Sequence, residues 1–271
     1  MTVSGKQIAV LANVGDVEDT RIAVENGADG VGLYRLEQAY LGRQKPPGMK
    51  ELLAEMQHTL QPAKGLPVYV RLLDVGADKP LPFVEMLRES NPALGRRGIR
   101  FLWKHPELLQ TQLDALIRLA LDHDLHILVP MVALPRDMLA IRQALREAAT
   151  RAKISGLPKI GAMIETPAAA LAAPEIMKHA DFLSFGTNDL TQYALAADRD
   201  NTAADSYFED TQDVNFRLIS IVHDDVPDAS LSICGELAGR NGATSRLIEC
   251  GVTSLSVVPF SIPLVKDAVR N

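Results

Sequence analysis

The 271-residue chain carries 28 Lys and Arg against 34 Asp and Glu, a net charge of −6 with a pI near 5.5. A nucleic-acid or membrane-surface role would need a general basic face, and that balance argues against one. With 47% hydrophobic and 23% charged residues the chain can bury a large core, which argues against disorder, and no apolar stretch reaches the length of a membrane span.

In chain order, the first strand is predicted over 8–14 (IAVLANV) and the second over 30–35 (GVGLYR), with Arg35 at its end. The third covers 67–73 (PVYVRLL), carrying Arg71 and followed by Asp74. A segment rich in Gly, Pro and Arg then runs over 74–104, too long for an ordinary connection. Apolar periodicity predicts a helix over 105–121, a strand over 126–131 and a helix over 135–149. Two further strands, 160–165 and 182–188, end in Glu165 and in Asn188-Asp189, and Thr166-Pro167 reads as the opening of another helix. Residues 198–216 form a polar, acidic stretch with little period. Strand 231–236, with Cys234 and Glu236 at its end, helix 241–250 and strand 254–259 complete the series.

Most of these strands are continuously apolar rather than alternating, as expected where helices cover a parallel sheet. Eight of them with intervening helices predict an α/β fold, a (β/α)₈ TIM barrel, formed as one domain over 1–271. An open dinucleotide-binding sheet is the rival, but no G-x-G-x-x-G follows the first strand. Cys234 and Cys250 are too few for a disulfide framework and suit a reducing, cytoplasmic setting; the N-terminal stretch shows no signal-peptide pattern.

Barrel enzymes place their chemistry at the C-terminal ends of the strands, and the unusual polar residues of this chain recur there. Glu165 and Asp189 each follow a buried apolar run, where a carboxylate is costly unless neutralised. Two carboxylates completed by substrate oxygens and water are a common way to hold Mg²⁺. The alternative is helix capping, with Thr187, Asn188 and Asp189 closing the start of a helix from Leu190. Arg35 and Arg71 converge at strand ends, and Arg97, Arg100 and Arg199 can reach in from the long loops. Guanidinium groups gathered in this way suit a multiply charged anion such as a phosphate. Cys234 has two readings that its position leaves open, a small buried hydrophobe or an acid–base group. None of the six histidines has metal-ligand spacing.

The segments GADGVGLYRLE (27–37), VRLLDVGADKPLP (70–82), NPALGRRGIR (91–100), MIETPAAAL (163–171), FGTNDLTQYALAADR (185–199) and ICGELAG (233–239) occur in one order across nearly the whole chain. Together they resemble the phosphoenolpyruvate-binding domain of enzyme I of the sugar phosphotransferase system. The resemblance implies that Glu165 and Asp189 bind Mg²⁺, with Mn²⁺ as the alternative. It further implies that Arg35, Arg71, Asn188 and Arg199 hold phosphoenolpyruvate with help from Lys79 and Arg97. Cys234 matches the residue that protonates the enolate carbon as pyruvate forms.

The chain departs from the family at Leu36, where a hydroxyl is usual, and at Ala77, Arg96 and Arg240; residues 203–216 match poorly. The family passes its phosphoryl group to a histidine in a Gly-Gly-x-Thr-Ser-His type segment, which is absent from this sequence. The resemblance therefore implies a C-terminal part of a longer protein. Its partners would be the N-terminal phosphohistidine domain, a downstream phosphocarrier protein and a second copy in a homodimer. Two other functions compete: a non-catalytic phosphoenolpyruvate or pyruvate sensor, and a Mg²⁺-dependent lyase or aldolase of the pyruvate-enolate type.

Overall fold

The computed structural model describes residues 2, 5–76, 81–84, 89–204 and 206–270. Eight parallel strands close into a barrel in sequential order. They are β1 (Ala9–Val14), β2 (Val31–Arg35), β3 (Val68–Arg71), β4 (Leu125–Val132), β5 (Lys159–Ile164), β6 (Phe182–Phe185), β7 (Leu231–Ile233) and β8 (Ser254–Val257). The first and last strands pair from Ala9 against Ser254 to Ala12 against Val257, so no strand edge is left open. The expected (β/α)₈ barrel is the observed one.

The apolar runs of the sequence find their reason in two separate layers. One face of each strand packs outward under the helices, where Val10, Ala12, Val68, Val70, Ile127, Val129, Ile160, Ala162 and Leu183 join the main core. The helix Pro106–Leu119 meets it with Leu108, Leu109, Leu113 and Leu116, an amphipathic stripe in which each buried leucine is worth about 1.5–3 kcal/mol. The helix Pro135–Ala152 does the same with Met138, Ile141 and Leu145, and its Asp137 side chain accepts from the backbone N–H groups of Ala133 and Leu134. Residues of opposite parity point into the barrel, where Leu33, Leu128, Met163, Phe182 and Cys234 form a second, smaller cluster with Tyr69.

At the N-terminal end of the strands this inner cluster becomes a floor. Tyr69 stacks on His126 at 4.4 Å, and Phe182 stands edge-on to both, at 5.2 and 5.7 Å. Gly161 makes room for that ring: a Cβ there would lie 2.3 Å from it.

Most strands end earlier than the apolar pattern suggests. β3 stops at Arg71, although Leu72, Leu73 and Val75 continue the apolar run as fully buried loop residues. β6 stops at Phe185, and a helix begins at Thr187 rather than Leu190, so Asn188 and Asp189 occupy its first turn. The segment 74–104 contains a 3₁₀ turn, Pro92–Leu94, and a short helix, Ile99–Leu102. The helix Asp213–Asp225 already begins inside the stretch 198–216. No helix among the described residues is long and apolar enough to cross a membrane.

Candidate active site

The C-terminal mouth of the barrel opens into a cavity of about 450 Å³. Its walls include Arg35, Arg71, Arg97, Arg199, Asn188, Glu165, Asp189 and Cys234, residues drawn from five different strand ends and two loops. Lys79 lies outside the described residues, as does Ala77. Arg100 does not reach the cavity; it is exposed and donates to the carbonyl groups of Leu94 and Gly95.

Helix capping does not account for Asp189. The helix Thr187–Leu195 is capped by Gly186 with no side-chain hydrogen bond, and the Asp189 carboxylate turns instead to Arg97. By contrast, Thr166 does cap the helix Pro167–Leu171, its hydroxyl accepting from the Ala169 N–H at 3.1 Å. The residue before the Thr187 helix has to be small, because a Cβ on Gly186 would sit 2.6 Å from Glu165 Oε1. That close approach brings Glu165 and Asp189 to one place.

A third carboxylate joins them. Asp74, Glu165 and Asp189 are all buried, and one oxygen from each lies within 4.8 Å of the others. Glu165 is 1% exposed and, among the described residues, accepts only the Met131 N–H, at 2.7 Å on Oε2. Met131 reaches it by adopting a left-handed backbone, φ 55°, at the end of β4. Burial, reinforced by the charges of Asp189 and Asp74, pushes the Glu165 carboxyl up to about 8. Three hard oxygen donors gathered where like charge is unfavourable suit a divalent cation, so the residues present fit a metal.

Two arginines thread this acidic cluster. Arg71 donates to Glu37 Oε1 at 2.8 Å and pairs with Asp74 at 3.2 Å. Arg97 bridges Asp189 and Asp74, with contacts of 2.7, 3.1 and 3.0 Å. Burial alone would depress both guanidinium groups, but the carboxylates outweigh it and hold them above their ordinary values. Arg35 and Arg199 differ: among the described residues their guanidinium groups have no ion-pair partner. They face the cavity as uncommitted positive charge.

Cys234 is 6% exposed, its Sγ 3.6 Å from the Phe185 carbonyl and 3.7 Å from Ser184 Oγ. Burial pushes its thiol up to about 11, so at neutral pH it keeps its proton. The Asn13 amide fixes this corner, donating to the Cys234 carbonyl at 3.0 Å and to the Ser256 carbonyl at 3.3 Å. Asn188 accepts the Glu236 N–H at 2.9 Å.

Sequence reasoning missed Asn13, and it noted Asp74 without joining it to the metal pair. A polar residue inside the otherwise apolar run IAVLANV was the available signal for the first, and a carboxylate three residues after Arg71 for the second. Of the departures noted above, Leu36 is fully buried in the main core and does not line the cavity. Arg96 is exposed, its backbone N–H bonded to Glu89. Arg240 does line the cavity, paired with Asp210 at 3.0 Å and Glu236 at 3.5 Å.

A family model described as "PEP-utilising enzyme, PEP-binding domain" matches residues 1–271, the whole chain. The chain belongs to that family. Among curated relatives, the Multiphosphoryl transfer protein of Rhodobacter capsulatus is 40% identical over 274 residues, covering 100% of this chain and 33% of its own length. The Phosphoenolpyruvate-protein phosphotransferases of Haloferax volcanii and Streptomyces coelicolor are 38% and 40% identical, again over 100% of this chain and over 50% and 48% of theirs. The chain thus spans a third to a half of the relatives it matches. Among solved structures, an HpcH/HpaI aldolase from Desulfitobacterium hafniense superposes with a TM-score of 0.51 at 15% identity, over 94% of this chain and 86% of that one. At that identity the likeness speaks for the shared barrel fold.

Proposed function

We propose that this PEP-binding domain is the phosphoenolpyruvate site of a PEP-dependent protein phosphotransferase, a single barrel over 1–271 belonging to the C-terminal part of a longer protein. The observation that carries the proposal is one cavity that gathers five arginines, three buried carboxylates and a protonated thiol. Phosphoenolpyruvate has a phosphate and a carboxylate on a three-carbon frame, and guanidinium forks match both groups. Arg35 and Arg199, uncommitted to internal pairs, receive the anion. Arg71 is held rigid by Glu37 and Asp74, Asn188 is fixed by the Glu236 N–H, and both orient it. Lys79 and Arg97 assist.

Glu165 and Asp189, with Asp74 beside them, hold Mg²⁺ or Mn²⁺. Once bound, the ion neutralises charge on the phosphate and on the developing enolate. The phosphorus–oxygen bond of the substrate breaks, and the phosphoryl group goes to a histidine nitrogen on a separate N-terminal domain, from which a phosphocarrier protein takes it. Cys234 gives its proton to the enolate carbon, and pyruvate leaves. A thiol held protonated at neutral pH is the correct state for that step. The cytoplasm, where free thiols persist, is the setting this chemistry suits, and the family resemblance suggests a homodimer.

The test is calorimetric titration of phosphoenolpyruvate into the chain with and without Mg²⁺, for wild type and Cys234→Ala. Metal-dependent binding in both is expected. Solvent-proton exchange into the methyl group of pyruvate should occur in wild type and drop at least about a hundredfold in the variant, the scale of a lost general acid. Binding of phosphoenolpyruvate that ignores the metal, or full exchange without the thiol, would remove the assignment.

A further inference from the structure

The acidic cluster already contains a cation. Arg97 engages both oxygens of Asp189, Nη1 to Oδ1 at 2.7 Å and Nη2 to Oδ2 at 3.1 Å, in the parallel geometry of a bidentate guanidinium–carboxylate pair. Its Nη2 also meets Asp74 Oδ2 at 3.0 Å. Arg97 is 7% exposed, and its Nη1 lies 3.4 Å from the Tyr193 hydroxyl, which itself donates to the Ala93 carbonyl. Among the described residues Glu165 makes no hydrogen bond or ion pair with Arg97 and accepts a hydrogen bond from the Met131 N–H alone. The cluster therefore divides into one carboxylate open to an incoming ion and two claimed by a guanidinium.

We infer that Arg97 is the resident counter-ion of this cluster and that a divalent cation and the Arg97 fork are mutually exclusive at Asp189. The inference rests on the metal assignment above and adds an order to it. The lone pairs that the fork occupies are those an ion at Asp189 needs, and a second positive charge beside the first is repelled. When the ion arrives, the fork lets go of Asp189. Because Arg97 also lines the cavity, the freed guanidinium is within the space that receives the anion. Metal binding thereby supplies one more phosphate-binding group, and metal and substrate become coupled through a single side chain. Arg71, slightly more exposed than Arg97, pairs among the described residues with Glu37 and Asp74 and not with Asp189, so it stays in place.

The test uses Mn²⁺ alone, titrated into the full chain without substrate, for wild type, Arg97→Lys, Arg97→Met and Asp189→Asn, each checked for its melting transition. Lysine keeps the charge but cannot form the fork, which separates exchange from simple repulsion. If the ligand set is open in about a tenth of wild-type molecules, Mn²⁺ should bind about tenfold tighter to both Arg97 variants. At saturating Mn²⁺ the same variants should bind phosphoenolpyruvate more weakly. Arg97→Lys binding Mn²⁺ like wild type would overturn the exchange while leaving the metal site standing. Equal Mn²⁺ binding by wild type and Asp189→Asn would remove the metal site, and the exchange with it. A measurement free of variants uses nitrogen-15 arginine side-chain spectra of the wild type. Two buried guanidinium groups should give two protected sets of signals, and added Mg²⁺ should abolish one. Persistence of both at metal saturation would overturn the proposal.

Discussion

The two ends of this barrel solve opposite problems with the same eight strands. At the N-terminal end Tyr69, His126 and Phe182 stack into an aromatic floor that fills the interior and excludes water. At the C-terminal end the strand ends carry Arg71, Glu165 and Cys234, Asp74 and Arg97 crowd in from the loops, and Asp189 comes from the first turn of the Thr187–Leu195 helix. The floor contributes packing, and the mouth concentrates buried charge whose mutual satisfaction is incomplete. Among the described residues Glu37 Oε2 and Arg71 Nε have no hydrogen-bond partner, and Glu165 is held near 8. Stability is stored at one end and spent at the other, as expected when catalytic groups are held in an environment unfavourable to them.

The largest effect that would break this contrast is at the floor. Phe182→Ala should destabilise the protein by about 3–5 kcal/mol, the range for a deleted core aromatic. Phosphoenolpyruvate affinity of the folded protein should be unchanged; denaturant titration and calorimetry on the same sample check both halves. At the mouth the expectation reverses. Glu165→Gln should abolish metal-dependent binding, by at least about a hundredfold (~2.7 kcal/mol), without lowering the melting temperature, because the neutral amide matches the shape of a carboxyl that burial already pushes toward its protonated form. A drop of several degrees would show that Glu165 holds the barrel together.

Gly161→Ala is of intermediate size. The added methyl group must push against the Phe182 ring, at a cost of about 1–3 kcal/mol, again with affinity intact.

The smallest effect concerns pH. Burial lowers the pKa of His126 below 6.5, against the opposing pull of Asp124. The unfolded chain therefore takes up the proton first, so this residue's contribution to stability should fall as pH drops below 6.5 and level off beneath its folded value. His126→Gln should flatten that part of the stability–pH curve by less than about 1 kcal/mol. An unchanged curve would mean that the ring titrates as it does in water.

The barrel was legible in the sequence because each strand is an apolar run bounded by turn residues, and the polar residues at the run ends marked the mouth. The run ends themselves misled. Leu72 and Leu73 look like strand because burial, and not hydrogen bonding, is what an apolar letter reports. The partnerships of the charged groups were not legible. Arg97 and Asp189 are 92 positions apart, and no spacing rule says that Arg97 takes Asp189 while Arg71 takes Glu37. Asn13 was hidden for a related reason: its partners lie just past β7 and on β8, more than two hundred positions away.

That last contact has a consequence for how the protein is made. The seam between β1 and β8, with Asn13 bonded to the peptides of Cys234 and Ser256, joins the first strand of the barrel to its last. On the ribosome β1 must wait, its pairing edge unclaimed, until Val257 has emerged from the exit tunnel. Until then the Cys234 peptide lacks its Ser256-side neighbour and the mouth has no complete wall. A nascent chain stalled before β8 should therefore carry most of its helices and no ligand affinity. Affinity would appear in one step when the seam closes, which makes the pocket a reporter of the finished fold.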